Sequence, residues 1–179
     1  QIVYPKDYGY IAARTGLRNG SKVLEIGTGS AALSTFLASI VMPEGHVYTF
    51  DVNEDFMSIA KKNLEKSSMD PYVTQGIYDP EKIGQIRDVD LVVIDLGDPW
   101  NYLDIIYPSM KSGASVVCIC PTMNQLENLA THFFHGGFID SDCVETFIRK
   151  IEAREGKTRP SMRMIGHTTY LGFARKVLK

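Results

Sequence analysis

The chain has 179 residues, 44% of them hydrophobic and 22% charged, with a net charge of −2. That length suits one domain with a full core, and the composition excludes a disordered chain. No apolar run approaches the ~18 residues of a transmembrane helix, no signal peptide is visible, and Cys118, Cys120 and Cys143 lack a metal or redox spacing, as expected of a reducing, cytoplasmic setting.

In chain order, the first stretch reads QIVYPKD. Pro5 holds Tyr4 extended. Asp7 is expected to cap a helix over Tyr8–Leu17, with Ile11 and Ala12 inward and Gly16 near its end. Asn19-Gly20 turns the chain into Val23–Ser34, reading VLEIGTGSAALS. Val23, Leu24 and Ile26 form a short apolar strand that Gly27-Thr28-Gly29 breaks. Ser30 is the expected cap of a helix over Ala31–Ile40, with Leu33, Phe36, Leu37 and Ile40 on one side. After the Pro43-Glu44-Gly45 turn, His46–Asp51 is a strand ending on an acid. Asn53 or Asp55 starts a helix to Lys66, its inward stripe Phe56, Ile59, Ala60, Asn63 and Leu64. A strand at Tyr72–Gly76 and a loop at Ile77–Pro80 follow. Leu91–Asp95 is an apolar strand that again ends on an acid. Tyr102–Met110 is an expected helix stopped by Ser112-Gly113, and Ala114–Cys120 an expected strand. Met123–His135 reads as a helix with Leu126, Leu129, Ala130 and Phe133 inward. Asp142–Ile151 and Thr169–Val177 read as β segments around a polar, basic loop, Ala153–His167. Residues 146–179 carry a net +7 on a body of −9. This points to a polyanion at one face, or to a strand edge guarded by cations.

Strand, glycine turn and helix let a backbone approach a nucleotide closely. Gly27-x-Gly29-x-x-Ala32 fits a dinucleotide fingerprint, with Asp51 placed for a ribose. Glu25-x-Gly27-x-Gly29-x-Ala31 also resembles the acid-G-x-G-x-G signature of class I S-adenosylmethionine (SAM) methyltransferases. A third reading is a tight turn with no ligand. Alternating strands and helices predict a parallel sheet covered on both faces. Two last strands with no helix between them predict a terminal antiparallel hairpin, which favours SAM over a nicotinamide cofactor. The expected fold is α/β, a doubly wound, Rossmann-like class I methyltransferase fold: seven mostly parallel strands with a C-terminal antiparallel hairpin.

Four motifs resemble one family, the tRNA (adenine-N1)-methyltransferases that act on the T-loop adenine. They are QIVYPKD, LEIGTGSAALS (departing at Ala31), DLGDPW (departing at Gly97) and RPSMRMIGHTTYL. The resemblance implies that Glu25, Gly27, Gly29, Ser30, Ala31, Ala32 and Leu33 serve the methionine end of SAM. It implies Asp51 for the ribose and Phe56 beside the adenine. Gly76-Ile77 stands where the family usually has an acid, so the Ile77 backbone or Asp79 must serve.

Asp95 is the expected catalytic residue. When adenine N1 attacks a methyl group, the ring becomes cationic and its amino group a stronger donor. A carboxylate at a strand tip accepts that bond where charge develops. The alternative is that Asp95 caps the following turn. By resemblance Tyr4 orients or stacks on the target base; otherwise it is a half-buried tyrosine. Pro99 and Trp100 are expected to wall the pocket. His167 reads as a structural histidine more readily than as a base, with Thr168 supporting the pocket. Lys6, Arg159 and Arg163 are candidate phosphate contacts or plain surface charges. His132 and His135 lack a third ligand, so no metal is expected.

The whole is read as a catalytic domain spanning 1–179. Its expected substrate is tRNA, its assembly a homotetramer, and it involves no membrane. In the family a small N-terminal β domain precedes the stretch that starts here at Gln1; the expected domain, 1–179, does not include it. The rivals are a small-molecule class I methyltransferase of the corrin-ring type and a non-catalytic tRNA-binding subunit.

Overall fold

A computed structural model describes residues 3–177, so Gln1 of the first motif and Lys179 of the basic tail lie outside the described residues. Helix α1 (Pro5–Thr15) starts three residues before the expected position, because a proline suits the first helical place. Tyr4 is its cap, by its carbonyl alone, and Gly16 closes it at φ 66°. Asp7 therefore caps nothing.

The rest of the chain runs β1 (Lys22–Ile26), α2 (Ala32–Val41), β2 (His46–Asp51), α3 (Glu54–Ser67), β3 (Val73–Ile77), α4 (Pro80–Ile83) and β4 (Val89–Ile94). It continues through α5 (Leu103–Ile106), β5 (Met110–Cys120), α6 (Met123–His135), β6 (Phe138–Val144), β7 (Ile151–Glu152), β8 (Arg159–Pro160) and β9 (Tyr170–Lys176). Seven strands form one sheet in the order β3-β2-β1-β4-β5-β9-β6. Strands β1 to β5 pair in parallel, and β9 runs antiparallel between β5 and β6. The expected fold class and terminal hairpin are thus present, although the first hairpin strand is Phe138–Val144 rather than Asp142–Ile151. Strands β7 and β8 form a separate two-stranded ribbon in the basic loop.

The central strands are buried on both faces, which is why they read as unbroken apolar runs. Leu24, Val92 and Val116 pack on one side with Ile83, Ile106, Leu129 and Phe133 from α4, α5 and α6. Val23, Val93 and Val117 pack on the other with Ile11 and Leu37 from α1 and α2.

Some local expectations fail for identifiable reasons. The helix expected over Tyr102–Met110 survives only as α5, because Pro99 and Pro108 each open a 3₁₀ turn beside it. Ser112-Gly113 stops no helix; it lies inside β5, where the register with β4 shifts between Val89 and Leu91 and Gly113 takes φ 77°. On α3 only Ala60 and Leu64 are buried, while Phe56 and Ile59 stand 41% and 47% exposed. Ala60 and Leu64 form a narrow seam, with Ala31 opposite.

Candidate functional site

Three cavities meet at the carboxyl ends of the central strands. The first is a cleft of about 460 Å3 against the glycine turn, bordered by Gly27, Gly29, Leu33, Asp51, Phe56 and Asp95. Its floor follows from the backbone. The Gly27 amide donates to the Phe50 carbonyl at 2.7 Å, tying the end of β1 to β2. Gly27 holds φ 106°, and a Cβ there would collide with the Asp95 carbonyl. Gly29 holds φ 50° and faces open space.

Asp51 is 3% exposed, and its two carboxylate oxygens accept the amides of Gly29 (2.8 Å) and Asn53 (2.9 Å). It thereby fixes the glycine turn while still bordering the cleft. Ser30 does not cap α2. Ala31 is the cap residue, at φ 62° and with no side-chain bond, while the Ser30 carbonyl accepts from Asn63 at 2.9 Å. Glu25 lies beneath the turn, fully buried. Its Oε2 accepts from the Ser34 hydroxyl and its Oε1 has no partner. Burial pushes its carboxyl up to about 7.

Asp95 follows β4 and donates its amide to Ile26 at 2.8 Å, so it stands at the tip of the strand beside β1. Burial raises its carboxyl to about 6. It also borders the second cavity, a throat of about 40 Å3 whose walls include Tyr4, Asp7, Pro121 and Thr168. Tyr4 and Thr168 in turn border the third, an outer groove of about 680 Å3 with Ile148, Lys150, Arg163 and Met164. Asp95 joins cleft to throat, and Tyr4 joins throat to groove. The two residues expected to meet at the reacting atoms do share one small space.

Other expected residues line neither the cleft nor the throat. Gly76 and Ile77 end β3, one strand beyond β2 from the glycine turn. Asp79 is occupied as the cap of α4, accepting the Glu81 amide at 3.0 Å. Pro99 is buried, and Trp100 stacks on His132 of α6 at 5.7 Å, on the face of the sheet opposite the core layer of Val3. Arg159 pairs with Glu152 across β7–β8 at 3.1 Å. Lys6 does not present its charge to solvent: its side chain is 11% exposed and bonded to Asp7 at 2.8 Å.

His167 is held at both ring nitrogens. Nδ1 meets Glu145 Oε1 at 2.6 Å and Nε2 meets the Pro121 carbonyl at 2.9 Å. Both partners are acceptors, an arrangement that favours the doubly protonated ring. The Glu145 bond, then the Pro121 bond, raise its pKa. These two bonds tie the chain before β9 to the segments that follow β5 and β6. Asp7 is the residue that sequence reasoning misplaced. Its one visible signal was the adjacent Lys6, which could have suggested a buried pair. Among the described residues, no cluster of three or more His, Cys, Asp or Glu side chains could hold a metal ion, and no helix is long and apolar enough to cross a membrane.

The family described as "tRNA methyltransferase complex GCD14 subunit" matches residues 1–160. A tRNA (adenine(57)-N(1)/adenine(58)-N(1))-methyltransferase, TrmI of Methanocaldococcus jannaschii, is 36% identical over 197 residues, covering 96% of this chain and 70% of that protein. The chain spans about half the length of the catalytic-subunit relatives from Dictyostelium discoideum and Candida albicans. Among solved structures, the tRNA (m1A58) methyltransferase TrmI from Aquifex aeolicus aligns with a TM-score of 0.91 at 34% identity, over 100% of this chain and 71% of that one. A SAM-dependent O-methyltransferase from Thermotoga maritima aligns with a TM-score of 0.95 at 34% identity, over 100% and 68%.

Proposed function

Because the chain belongs to the tRNA methyltransferase family of the GCD14 subunit, we propose that it transfers a methyl group from SAM to N1 of a T-loop adenine in tRNA. The observation that carries this reading is the double placement of Asp95, which faces both the glycine-turn cleft and the throat beside Tyr4.

The cleft suits SAM. Gly29 leaves open the space that a Cβ would fill, and the cleft walls offer a carboxylate at Asp51 and an apolar ring at Phe56. When bound, SAM supplies an electrophilic methyl group on a sulfonium. Gly27, Gly29, Ser30, Ala32 and Leu33 border its methionine end, and Ala31 and Glu25 shape that wall from below. Asp51 has lone pairs left beside its two backbone bonds and accepts the ribose hydroxyls. Phe56, exposed on α3, covers the adenine. Gly76 and Ile77, at the end of the neighbouring strand, contribute backbone there.

The chain's chemical task is placement and charge. Holding two reactants in line supplies much of the rate. As N1 takes the methyl group, positive charge spreads to the exocyclic amino group, and the Asp95 carboxylate accepts its N–H bond. Tyr4 lies over the extruded base. Thr168 and the His167 latch hold the opposite wall, with Pro99 and Trp100 stiffening the segment after Asp95. Arg163 and Lys150 meet backbone phosphates in the outer groove, and Arg159 does so from the ribbon.

Several large apolar side chains between residues 147 and 165 are exposed, including Phe147, Ile151 and Met162. Such exposure suits burial against another copy; the reading is of a homotetramer that acts on tRNA in the cytoplasm.

The test is incubation with labelled SAM and unmodified tRNA. The expected product is 1-methyladenine in the T-loop. Methylation of a small acceptor with no RNA-dependent turnover would overturn the reading in favour of a small-molecule enzyme.

A further inference from the structure

Asp7 is completely buried at the first turn of α1, where it performs no capping. Its Oδ1 accepts from Lys6 Nζ at 2.8 Å and from the Thr146 hydroxyl at 2.6 Å, and its Oδ2 accepts from the Thr168 hydroxyl at 2.9 Å. Lys6 Nζ also donates to Thr168 Oγ1 at 2.5 Å and to Thr146 Oγ1 at 3.1 Å. The ammonium's three protons thus have three acceptors. Each threonine hydroxyl receives one bond from Lys6 and gives one to Asp7. A buried pair this completely satisfied adds little stability over apolar residues of the same volume; what it does supply is a single geometry.

That geometry is placed at the throat. Lys6 and Asp7 come from α1, Thr146 from the chain after β6, and Thr168 from the chain before β9. Tyr4, Asp7 and Thr168 are walls of the same throat that Asp95 borders. The Asp7 amide donates to the Tyr4 carbonyl at 2.9 Å, so the side-chain network and the position of Tyr4 share one residue.

We propose that Asp7 is a positioning residue: with Lys6, Thr146 and Thr168 it clamps the N-terminal segment to the terminal hairpin and so fixes Tyr4 relative to Asp95. This rests on the methyl-transfer reading above. Neither Asp7 nor Thr146 touches the reacting atoms; both act through Tyr4.

The experiment compares Thr146→Val, Thr146→Ser and Asp7→Asn. Methylation is measured at saturating SAM and tRNA, SAM affinity by equilibrium dialysis, and amide hydrogen exchange along residues 4–8. Misplacement by about 1 Å can cost roughly 100-fold. Thr146→Val and Asp7→Asn are expected to lower kcat by at least about tenfold, leave the Kd for SAM within about twofold, and speed exchange at residues 4–8. Thr146→Ser, which keeps the hydroxyl, restores kcat and protection. Unchanged kcat in folded Thr146→Val, equal loss in Thr146→Ser, or SAM affinity falling in step with kcat overturns the proposal. Should Asp7→Asn fail to fold, the Thr146 pair decides alone. Should the unsubstituted protein methylate no tRNA, the functional reading falls, and exchange in Thr146→Val still decides whether the clamp exists.

Discussion

The carbonyl of Asp95 packs against the α-carbon of Gly27 with no room for a side chain between them. The contact exists because β1 and β4 are neighbours in register, Ile26 beside Ile94, and both strands end at this level. Gly27→Ala must relieve the clash and also take a backbone angle of φ 106°. Together these cost about 2–4 kcal/mol. Gly29→Ala, in open space at φ 50°, costs only the backbone part, about 1 kcal/mol. Denaturant unfolding of the two variants should show this order. Equal stability losses would mean that the Gly27–Asp95 contact does not constrain the turn.

Asp95 carries the second prediction. Burial raises its carboxyl to about 6, and only the ionised form sets a full negative charge against the cation that develops on the base. Activity should therefore rise with pH through about 6 and level off above it. Asp95→Ala should keep SAM binding and lose about 100-fold or more in kcat, the magnitude of removing one partner from developing charge. A variant with unchanged turnover removes Asp95 from the chemistry.

The stretch from Val23 to Asp51 was legible because each signal there is local: an apolar run, two glycines, a helical period, a strand ending on an acid. Helix α6 was legible for the same reason, and Met123–His135 has the expected ends. The Lys6–Asp7 network was not, since Thr146 lies 139 residues from Asp7 and Thr168 lies 161. A carboxylate near a helix start looks like a cap until its distant partners are known. Phe56 sits at helical spacing with Ala60 yet faces the cleft, because periodicity records which side a residue occupies and not whether anything covers it. The β7–β8 ribbon carried no alternation long enough to read, having two residues in each strand.

Glu25 makes stability depend on pH with a definite sign. Its folded pKa is raised from 4.5 to about 7, chiefly by burial. A raised acid contributes stability that is fully present below its unfolded value and is lost as pH rises through the folded one. The unsubstituted protein, without SAM, should therefore lose stability between pH 5 and pH 8 through this group, by up to about 3 kcal/mol. Glu25→Gln does not titrate, so its stability relative to the parent should be more favourable at pH 8 than at pH 5. Comparing the two pH values cancels any fixed cost of the amide. A difference independent of pH would show that Glu25 is not charged at the expense of the fold.

Arg163 and Arg159 separate the two readings of the basic end, a polyanion site and a guarded edge. Arg163 borders the groove that opens from the throat, while Arg159 is held by Glu152 at 3.1 Å on the ribbon. A cation that contacts phosphate releases counterions, and losing it flattens the salt dependence of binding by about one unit. Arg163→Glu should weaken tRNA binding and reduce that slope by about one. Arg159→Glu should do less, because its charge is already partly spent on Glu152. Binding titrations over a range of salt concentrations measure both slopes at once. Equal slopes for parent and Arg163→Glu would move the phosphate path away from the groove, and leave the basic loop as the guard of an exposed edge.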